Sequence, residues 1–376
     1  MREYLFIVVV AAVITYAATP AMRALAVRLR AFTPVRDRDV HSVPIPRLGG
    51  VAMLLGFGAA TLVASVLPFS RQMFAGGELR GVFLGGVIVC LVGAIDDVHE
   101  LDWLIKAAGQ LLAAGVMAFQ GVQLFSLPLG ETVILPAPLL VGLTIFFVLL
   151  ATNAVNFVDG LDGLATGIVG IAALSFFAYA YLIARSYSPP NVFTSAAFIA
   201  AALVGVCLGF LPHNFHPARI FMGDSGALLL GLLLAAAMIS LTGTVTGAEV
   251  STNPAAALLL PLLVPVAIVL LPLLDVLLAV VRRTRKGLRP WQPDAQHLHH
   301  RMLAWGHGHR RAVLLLWFWA AAAAFGAVAF VFLPPLAALA LLVAMVALAA
   351  GLTMWLPRTR SLDGASAAGL PRSVGQ

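Results

Sequence analysis

The residues best suited to chemistry lie in short polar groups between long apolar runs. The first group is a pair of adjacent aspartates, Asp96 and Asp97, followed by Lys106 and Gln110. Adjacent residues on a helix point about 100° apart, so the two carboxylates are expected to have different roles. Lys106 and Gln110 are four residues apart and share one helix face. Carboxylates beside a lysine suit a magnesium-phosphate site, although a charged loop at a membrane interface would have the same composition.

The second group places an amide or a carboxylate at every third residue, at Asn153, Asn156, Asp159 and Asp162. On a continuous helix this spacing turns by about 60° per step, so the four side chains would not face one way. A glycine follows each aspartate and allows a break, with the loop wrapping its oxygen ligands around a hard cation such as magnesium. Helix capping explains Asp162 equally well, but it does not explain all four residues.

The third group surrounds Asp224, which lies between Gly223 and Gly226 at the start of an apolar run. Glycines at a helix N-terminus allow the backbone to approach an anion or a metal closely. The preceding segment, residues 212–219, is basic and aromatic and ends in Arg219. A simple capping turn remains an alternative explanation for this pattern.

The fourth group lies in the longest polar loop and contains His297, His299, His300 and Arg301. Spacings of three and four residues place His297, His300 and Arg301 on one face of a short helix. Such a cluster can bind phosphate and sugar hydroxyls or a transition metal. The sequence has no cysteine nearby and no His-Glu-x-x-His pattern, which favours substrate binding over zinc.

Two weaker candidates complete the set. A rigid basic loop containing His41 and Arg47 leads into an apolar run. Asp275 lies about two turns inside another apolar run, and an acid within a membrane span is a functional candidate. An ion pair between Asp275 and Arg282 would give a purely structural explanation.

The elements that must position these residues are membrane spans. The chain is 61% hydrophobic and 10% charged, with a mean hydropathy of +1.00, whereas a soluble domain carries about a quarter charged residues. We predict an all-α polytopic membrane protein with one domain over residues 1–357 and a disordered tail over 358–376. The eleven predicted spans are 4–27, 48–68, 81–95, 103–121, 137–152, 163–184, 194–211, 226–244, 256–281, 311–333 and 335–356.

The charges predict the orientation of these spans. With eleven spans, one set of alternate loops and helix ends holds all but four of the 23 lysines and arginines. The exceptions are Arg2, Arg71, Arg80 and Arg185. The positive-inside rule makes the basic side cytoplasmic, with the N-terminus outside and the C-terminus in the cytoplasm. The four polar groups share that side, which indicates an enzyme of the inner membrane with a cytoplasmic active site. A transporter should carry polar groups at mid-membrane, where only Asp275 qualifies.

Taken in order from His41 to Arg301, these motifs resemble the polyprenyl-phosphate N-acetylhexosamine-1-phosphate transferases. The resemblance includes Pro-Arg-x-Gly-Gly, Asp-Asp with its downstream Lys and Gln, Asn-x-x-Asn-Phe-x-Asp-Gly-Leu-Asp-Gly, Phe-Met-Gly-Asp-Ser-Gly and His-x-His-His. It is closer to the WecA/TagO branch than to MraY proteins, which carry three consecutive histidines in the last loop. One departure is Ala227, where the family usually has serine.

The resemblance implies a magnesium-dependent reaction, with manganese as an alternative ion. A UDP-N-acetylhexosamine, expected to be UDP-GlcNAc, would give its sugar-1-phosphate to undecaprenyl or decaprenyl phosphate and release UMP, which starts a cell-envelope glycan. The family's metal ligands carry over to Asp224, with Asn156 beside it. Asp96 and Asp97 would orient or deprotonate the lipid phosphate, mainly by positioning it because a phosphate monoester is already largely ionised.

The remaining candidates would bind the substrates. Lys106 and the segment 297–301 would hold the diphosphate and the sugar, while Asp159 and Asp162 would shape the nucleotide site. The predicted binding residues also include Asn153, His41, Arg47 and Arg219. The resemblance suggests a homodimer. The chain is expected to lie among membrane lipids, and because the basic residues of a membrane protein mark its orientation, we predict no nucleic-acid partner. Transfer of MurNAc-pentapeptide phosphate and transport of lipid-linked or nucleotide sugars remain the alternatives, and the absence of three consecutive histidines disfavours the former.

Overall fold

The computed structural model describes residues 1–33, 44–124, 127–128, 132–133, 136–187, 193–242, 281, 284–285, 302 and 305–355. These residues form ten long helices and one antiparallel ladder of two-residue strands, β1 (Leu127–Pro128) and β2 (Thr132–Val133). The helices are α1 (Arg2–Arg28), α2 (Gly49–Val66), α3 (Glu78–His99), α4 (Trp103–Phe119), α5 (Ala137–Val158), α6 (Leu164–Tyr187), α7 (Ser195–Asn214), α8 (Gly223–Thr242), α9 (His309–Phe332) and α10 (Pro335–Trp355). The prediction of an all-α fold is confirmed.

The ten helices coincide with ten of the eleven predicted spans, and the predicted span 256–281 lies outside the described residues except for its last position. Nine of them are long and apolar enough to cross a bilayer, whereas α4 has 17 residues. A bilayer core of about 30 Å requires roughly 20 apolar residues in helical form. The chain is therefore a multi-pass membrane protein.

Helix α8 forms the centre of the described bundle. It packs against α2, α3, α5, α6 and α7, and 89% of its membrane-spanning window is buried. A helix that is apolar on every side is stable in such a position because neighbouring helices cover all its faces. By contrast, α10 packs on α9 and keeps most of its surface toward lipid. The residue that opens α8 is consequently surrounded by the ends of several other helices.

Those ends form one polar face of the bundle, which we define by the last turns of α3, α5 and α7 and the first turns of α4, α6, α8 and α9. Side-chain contacts join α3 and α4 to the start of α8. Further contacts join the α7–α8 loop to the start of α6 and of α9. Since consecutive helices run in opposite directions, alternate connections meet at this face. The polar groups of the sequence therefore converge there.

Candidate active site at the polar face

Lys106 connects two carboxylates from different helices. Its Nζ lies 2.6 Å from Asp96 Oδ2 at the end of α3 and 2.9 Å from Asp224 Oδ2 at the start of α8. Asp102 begins α4 by accepting a 2.8 Å hydrogen bond from Leu104 N, and this cap places Lys106 one turn into the helix. The side chains of Lys106 and Asp224 are 29% and 24% exposed, against 6% for Asp96. Lys106 and Asp224 are therefore the members of this trio that a ligand can reach.

The two adjacent aspartates point to different partners, as their helical spacing predicts. Asp96 Oδ1 accepts a 2.7 Å hydrogen bond from Leu101 N, while its other oxygen pairs with Lys106. Asp97 points toward α8 and accepts hydrogen bonds from Asp224 N and Ser225 N. Asp96 therefore contacts Lys106, whereas Asp97 holds the first turn of α8, which carries Asp224.

Helix α5 contributes two amides to the polar face. Asn156 is hydrogen-bonded to the Asp224 carboxylate. One turn earlier, exposed Asn153 donates a 2.7 Å hydrogen bond to Gln110 Oε1. The prediction that residues 153–162 form a loop whose four polar side chains surround a cation is wrong. Helix α5 continues to Val158, so both asparagines project from a regular helix and the break begins only afterwards.

Asp159 lies at this break and belongs to the same electrostatic environment. Burial raises the pKa of its carboxyl to about 7, because removal from water disfavours the charged form. The negative charges of Asp224 and Asp97 raise this pKa further, while the positive charge of Arg47 lowers it. The carboxylates therefore repel one another, and Lys106 and Arg47 offset only part of that repulsion. Such a site attracts a cation.

Asp162 holds the loop between α7 and α8. Its Oδ2 lies 2.7 Å from His216 Nδ1 and accepts a 3.0 Å hydrogen bond from Ala218 N, and the side chain is fully buried. These partners belong to the segment that leads to Asp224. The structure therefore gives Asp162 a role in loop anchoring that the sequence did not predict. Its predicted catalytic role in the nucleotide site stays a prediction.

Asn214 anchors the same loop and is a residue that the sequence analysis missed. Its Oδ1 accepts hydrogen bonds from Thr166 Oγ1 at 2.8 Å and from Gly163 N at 3.2 Å, and its Nδ2 donates to Ile220 O at 3.1 Å. The side chain is buried, so each of these bonds replaces one with water. An amide at the end of a 20-residue apolar span was the available signal.

His216 and His309 form a stacked pair beside Asp162. Their ring centroids are 4.1 Å apart with an interplanar angle of 18°, and Arg310 Nε donates a 3.0 Å hydrogen bond to His216 O. Ligand atoms of Asp162 and both histidines lie within 4.8 Å of one another. However, a metal binds imidazole nitrogen in the plane of the ring, and one ion cannot lie in two parallel, stacked planes. This cluster therefore joins α9 to the α7–α8 loop.

The loop before α2 pairs with the segment before α8. Gly49 N and Gly50 N donate hydrogen bonds to Phe221 O and Met222 O, both at 3.0 Å. Arg47 Nε donates to Thr33 Oγ1 at 2.8 Å. The Pro-Arg-x-Gly-Gly motif therefore fixes the backbone that presents Asp224, and it brings Arg47 close enough to affect Asp159.

The other predicted binding residues are placed as follows. Arg219 is exposed near the polar face, and its carbonyl accepts a 3.0 Å hydrogen bond from Arg23 Nε. Ala227, the departure from the family pattern, is buried in α8. Six predicted site residues lie outside the described residues and so stay predictions: His41, Asp275, His297, His299, His300 and Arg301.

The start of α8 fits against α3 only because small residues meet there. A Cβ added to Gly93 of α3 would collide with the backbone of Asp224 and Ser225. Gly223 has a φ of 67°, a left-handed conformation that glycine adopts without strain. A Cβ at this position would collide with the Asp97 carboxylate. Glycine at these two positions therefore sets the distance between α3 and Asp224.

We expect Gly93→Ala to push the first turn of α8 away from Lys106. Overpacking of this kind costs about 1–3 kcal/mol, and the displacement of Asp224 should lower activity as well as the melting temperature. The matched control is Gly115→Ala in α4, where an added Cβ meets no atom within 4 Å. Thermal unfolding in detergent and transfer activity should fall for Gly93→Ala alone, and equal behaviour of both variants would contradict this packing argument.

Comparisons with known proteins identify similar chains. Residues 79–242, which include every described carboxylate of the cluster, match the sequence profile of glycosyl transferase family 4. The decaprenyl-phosphate N-acetylglucosaminephosphotransferase of Mycolicibacterium smegmatis is 44% identical over 340 residues, covering 89% of this chain and 84% of the relative.

More distant relatives have two different substrates in their names. The undecaprenyl-phosphate alpha-N-acetylglucosaminyl 1-phosphate transferase of Yersinia pestis is 31% identical over 300 residues, or 78% of this chain and 75% of the relative. A phospho-N-acetylmuramoyl-pentapeptide-transferase of Desulforudis audaxviator is 32% identical over 342 residues, or 82% of this chain and 92% of the relative. The relative that is 44% identical is therefore named for N-acetylglucosamine phosphate transfer, and not for transfer of the muramoyl pentapeptide.

Proposed function

The chain belongs to glycosyl transferase family 4, and from this membership we propose that it transfers N-acetylglucosamine-1-phosphate from UDP-N-acetylglucosamine to a polyprenyl phosphate. An oxygen of the lipid phosphate forms a bond to the phosphorus that carries the sugar. The bond from that phosphorus to the bridging oxygen of UMP breaks, and UMP leaves. The products are a lipid-linked sugar diphosphate and UMP.

The observation that carries this proposal is the bridge from Lys106 to Asp96 and Asp224 at the polar face. Two polyanionic substrates must approach each other, so positive charge has to be present at the transferred phosphoryl group. Lys106 is partly exposed and can turn from a carboxylate to a phosphate oxygen. Asp96 and Asp224 keep its side chain oriented and charged until substrate arrives.

Other residues of the polar face would bind the nucleotide sugar. Asn153 is exposed and donates through its amide nitrogen to Gln110, and its carbonyl oxygen would accept a hydrogen bond from a sugar or ribose hydroxyl. Arg47 lies near Asp159 and would contact the diphosphate. Arg219 is a further exposed positive charge, in the α7–α8 loop that leads to Asp224.

The donor atoms fit a magnesium or manganese ion. Asp224 provides a carboxylate oxygen, and Asn156 carries an amide oxygen next to the amide nitrogen that donates to that carboxylate. Carboxylate and amide oxygens are the ligand types that these hard cations prefer. Among the described residues around Asp224, the neighbouring carboxylates of Asp96, Asp97 and Asp159 outnumber the positive side chains of Lys106 and Arg47, and a divalent ion would help to balance this local charge. When bound, the ion would offset the negative charge of the phosphates. Asp224 would hold it, with Asn156 beside that carboxylate.

The expected setting is the bacterial inner membrane, with the polar face toward the cytoplasm. The distribution of lysine and arginine supports this orientation, and a cytoplasmic face is where nucleotide sugars are available. The homodimer implied by the family resemblance stays a prediction.

The proposed function can be tested by supplying purified protein with radiolabelled UDP-N-acetylglucosamine, decaprenyl or undecaprenyl phosphate, and magnesium. We expect label in the lipid fraction and release of UMP, with both lost on addition of EDTA. Parallel reactions with UDP-MurNAc-pentapeptide test the second donor class. Labelled lipid from that donor alone would reassign the substrate, and the absence of UMP with either donor would overturn transfer altogether.

A further inference from the structure

Asp97 uses both carboxylate oxygens to hold the first turn of α8. Its Oδ1 accepts a 2.9 Å hydrogen bond from Asp224 N, and its Oδ2 accepts bonds from Ser225 N at 3.2 Å and from Ser225 Oγ at 2.8 Å. Two of the three donors are free backbone N–H groups of the kind that every helix has at its start, and the third is the Ser225 hydroxyl. A carboxylate there stabilises the helix end both by hydrogen bonding and by opposing the helix dipole. Here the cap comes from a different helix, 127 residues earlier in the chain.

The burial of Asp97 separates it from the ligand-accessible residues. Asp97 is 4% exposed, whereas the side chain of Asp224 is 24% exposed. The backbone of Gly223 lies directly against the Asp97 carboxylate, and Gly93, one turn earlier in α3, lies against Asp224 and Ser225. Asp97 therefore meets α8 on the side of Asp224 that faces the interior.

We propose that Asp97 is a positioning residue that acts through the first turn of α8, fixing the backbone from which Asp224 reaches Lys106 and the substrates. The effect of Asp97 on catalysis rests on the proposed function, whereas its capping of α8 does not depend on that function. Asp97 then affects transfer without touching the lipid phosphate. Asp96 is equally buried, but it is the one of the two adjacent aspartates that contacts Lys106.

The competing role, in which Asp97 orients or deprotonates the lipid phosphate, conflicts with its contacts. To reach a phosphate, the carboxylate would have to leave three donors and expose two backbone N–H groups of α8. Leaving buried donors unpaired is costly, and this cost is larger when the lost acceptor is charged. A neighbouring carboxylate, Asp96, is already directed toward the cluster.

Amide hydrogen exchange of the purified full-length protein without added metal tests the cap directly. We expect Asp97→Asn to increase exchange in the peptide covering residues 223–228 by about tenfold or more, because charge-assisted bonds are lost. Ser225→Ala should produce a smaller increase in the same peptide. The matched control is Ser175→Ala, since Ser175 is equally buried and also bonds a carbonyl three residues earlier, but lies within α6.

Two functional readouts distinguish positioning from base catalysis. We expect Asp97→Asn to weaken binding of Mn2+, measured by electron paramagnetic resonance, by about 10–100-fold, as for residues that orient a metal ligand. The acidic limb of the kcat–pH profile should keep its position. The double variant with Ser225→Ala should lose less in kcat than the product of the two single losses, because both act on one turn.

The contrary results are equally specific. Unchanged exchange at residues 223–228 in Asp97→Asn, or loss of the acidic limb with normal Mn2+ affinity, would overturn the proposal. If Asp97→Asn does not fold, the Ser225→Ala variant provides the test. Amide exchange at residues 223–228 that is the same in Ser225→Ala as in Ser175→Ala would then overturn the proposal. If wild-type protein transfers no sugar phosphate while exchange rises as expected, the proposed function fails and the capping role of Asp97 stands.

Discussion

Asp224→Asn is expected to reduce kcat by roughly 10³-fold while the protein remains folded. The variant keeps the size and the hydrogen-bonding oxygen of the side chain but removes its charge. Without that charge, the residue neither balances a divalent cation nor holds Lys106 through an ion pair. Transfer of radiolabelled sugar phosphate by purified protein, with Mn2+ affinity measured in parallel, would quantify the loss.

Stability should change little in the same variant. Asp224 pairs with Lys106 at 2.9 Å and is hydrogen-bonded to Asn156, and the substitution weakens both interactions. Because a partly exposed ion pair contributes only about 0–1 kcal/mol, we expect a melting temperature within a few degrees of the wild type and not above it. Glu78→Gln is the matched control, because Glu78 begins α3 at the end opposite to the polar face. Activity of Asp224→Asn within tenfold of the wild type would remove Asp224 from the proposed metal site.

The helices were predictable from the sequence because the bilayer imposes a simple requirement. Backbone groups in lipid must be hydrogen-bonded within the segment, and about 20 apolar residues are needed to cross. The short α4 was also found, although its 17 residues fall below that length. Its boundaries follow from local signals, namely the cap at Asp102 and the apolar run after it.

The convergence of the motifs on one face was also predictable, since alternate connections of a multi-span bundle share a side. What the sequence did not indicate is which polar group meets which. Asp97 pairs with Ser225 across 128 positions, and Asp162 pairs with His216 across 54. These contacts depend on how closely α3 and α8 approach and on how the α7–α8 loop folds. Local spacing does not encode either quantity.

The 153–162 motif shows how a correct list of residues can accompany a wrong local structure. Its three-residue spacing suggested a loop, but residues 153–158 contain no glycine or proline and extend the apolar helix before them. Asn153 and Asn156 therefore lie three apart on a helix, where side chains are neighbours. One reaches Gln110 and the other reaches Asp224. The helix ends where Gly160 first allows a turn.

Lys106→Met should lower kcat/KM for the nucleotide sugar by about 10²–10³-fold, because the substitution removes a positive charge that we propose acts on the transferred phosphoryl group. Methionine keeps much of the apolar stem, so packing of α4 should survive and the melting temperature should stay within a few degrees. The matched control is Arg80→Met, which removes an exposed positive charge from the opposite end of α3.

The division of this loss between kcat and KM shows whether Lys106 binds the phosphate already in the substrate complex or mainly in the transition state. In the free protein its charge is shared by Asp96 and Asp224, so substrate has to compete for it. An interaction that strengthens only as charge develops at the phosphoryl group lowers kcat, whereas uniform binding changes KM alone. Because the two carboxylates restrain Lys106 before reaction, we expect the larger part of the loss in kcat. A Lys106→Met variant within threefold of wild type in both constants would show that the lysine only neutralises its neighbours.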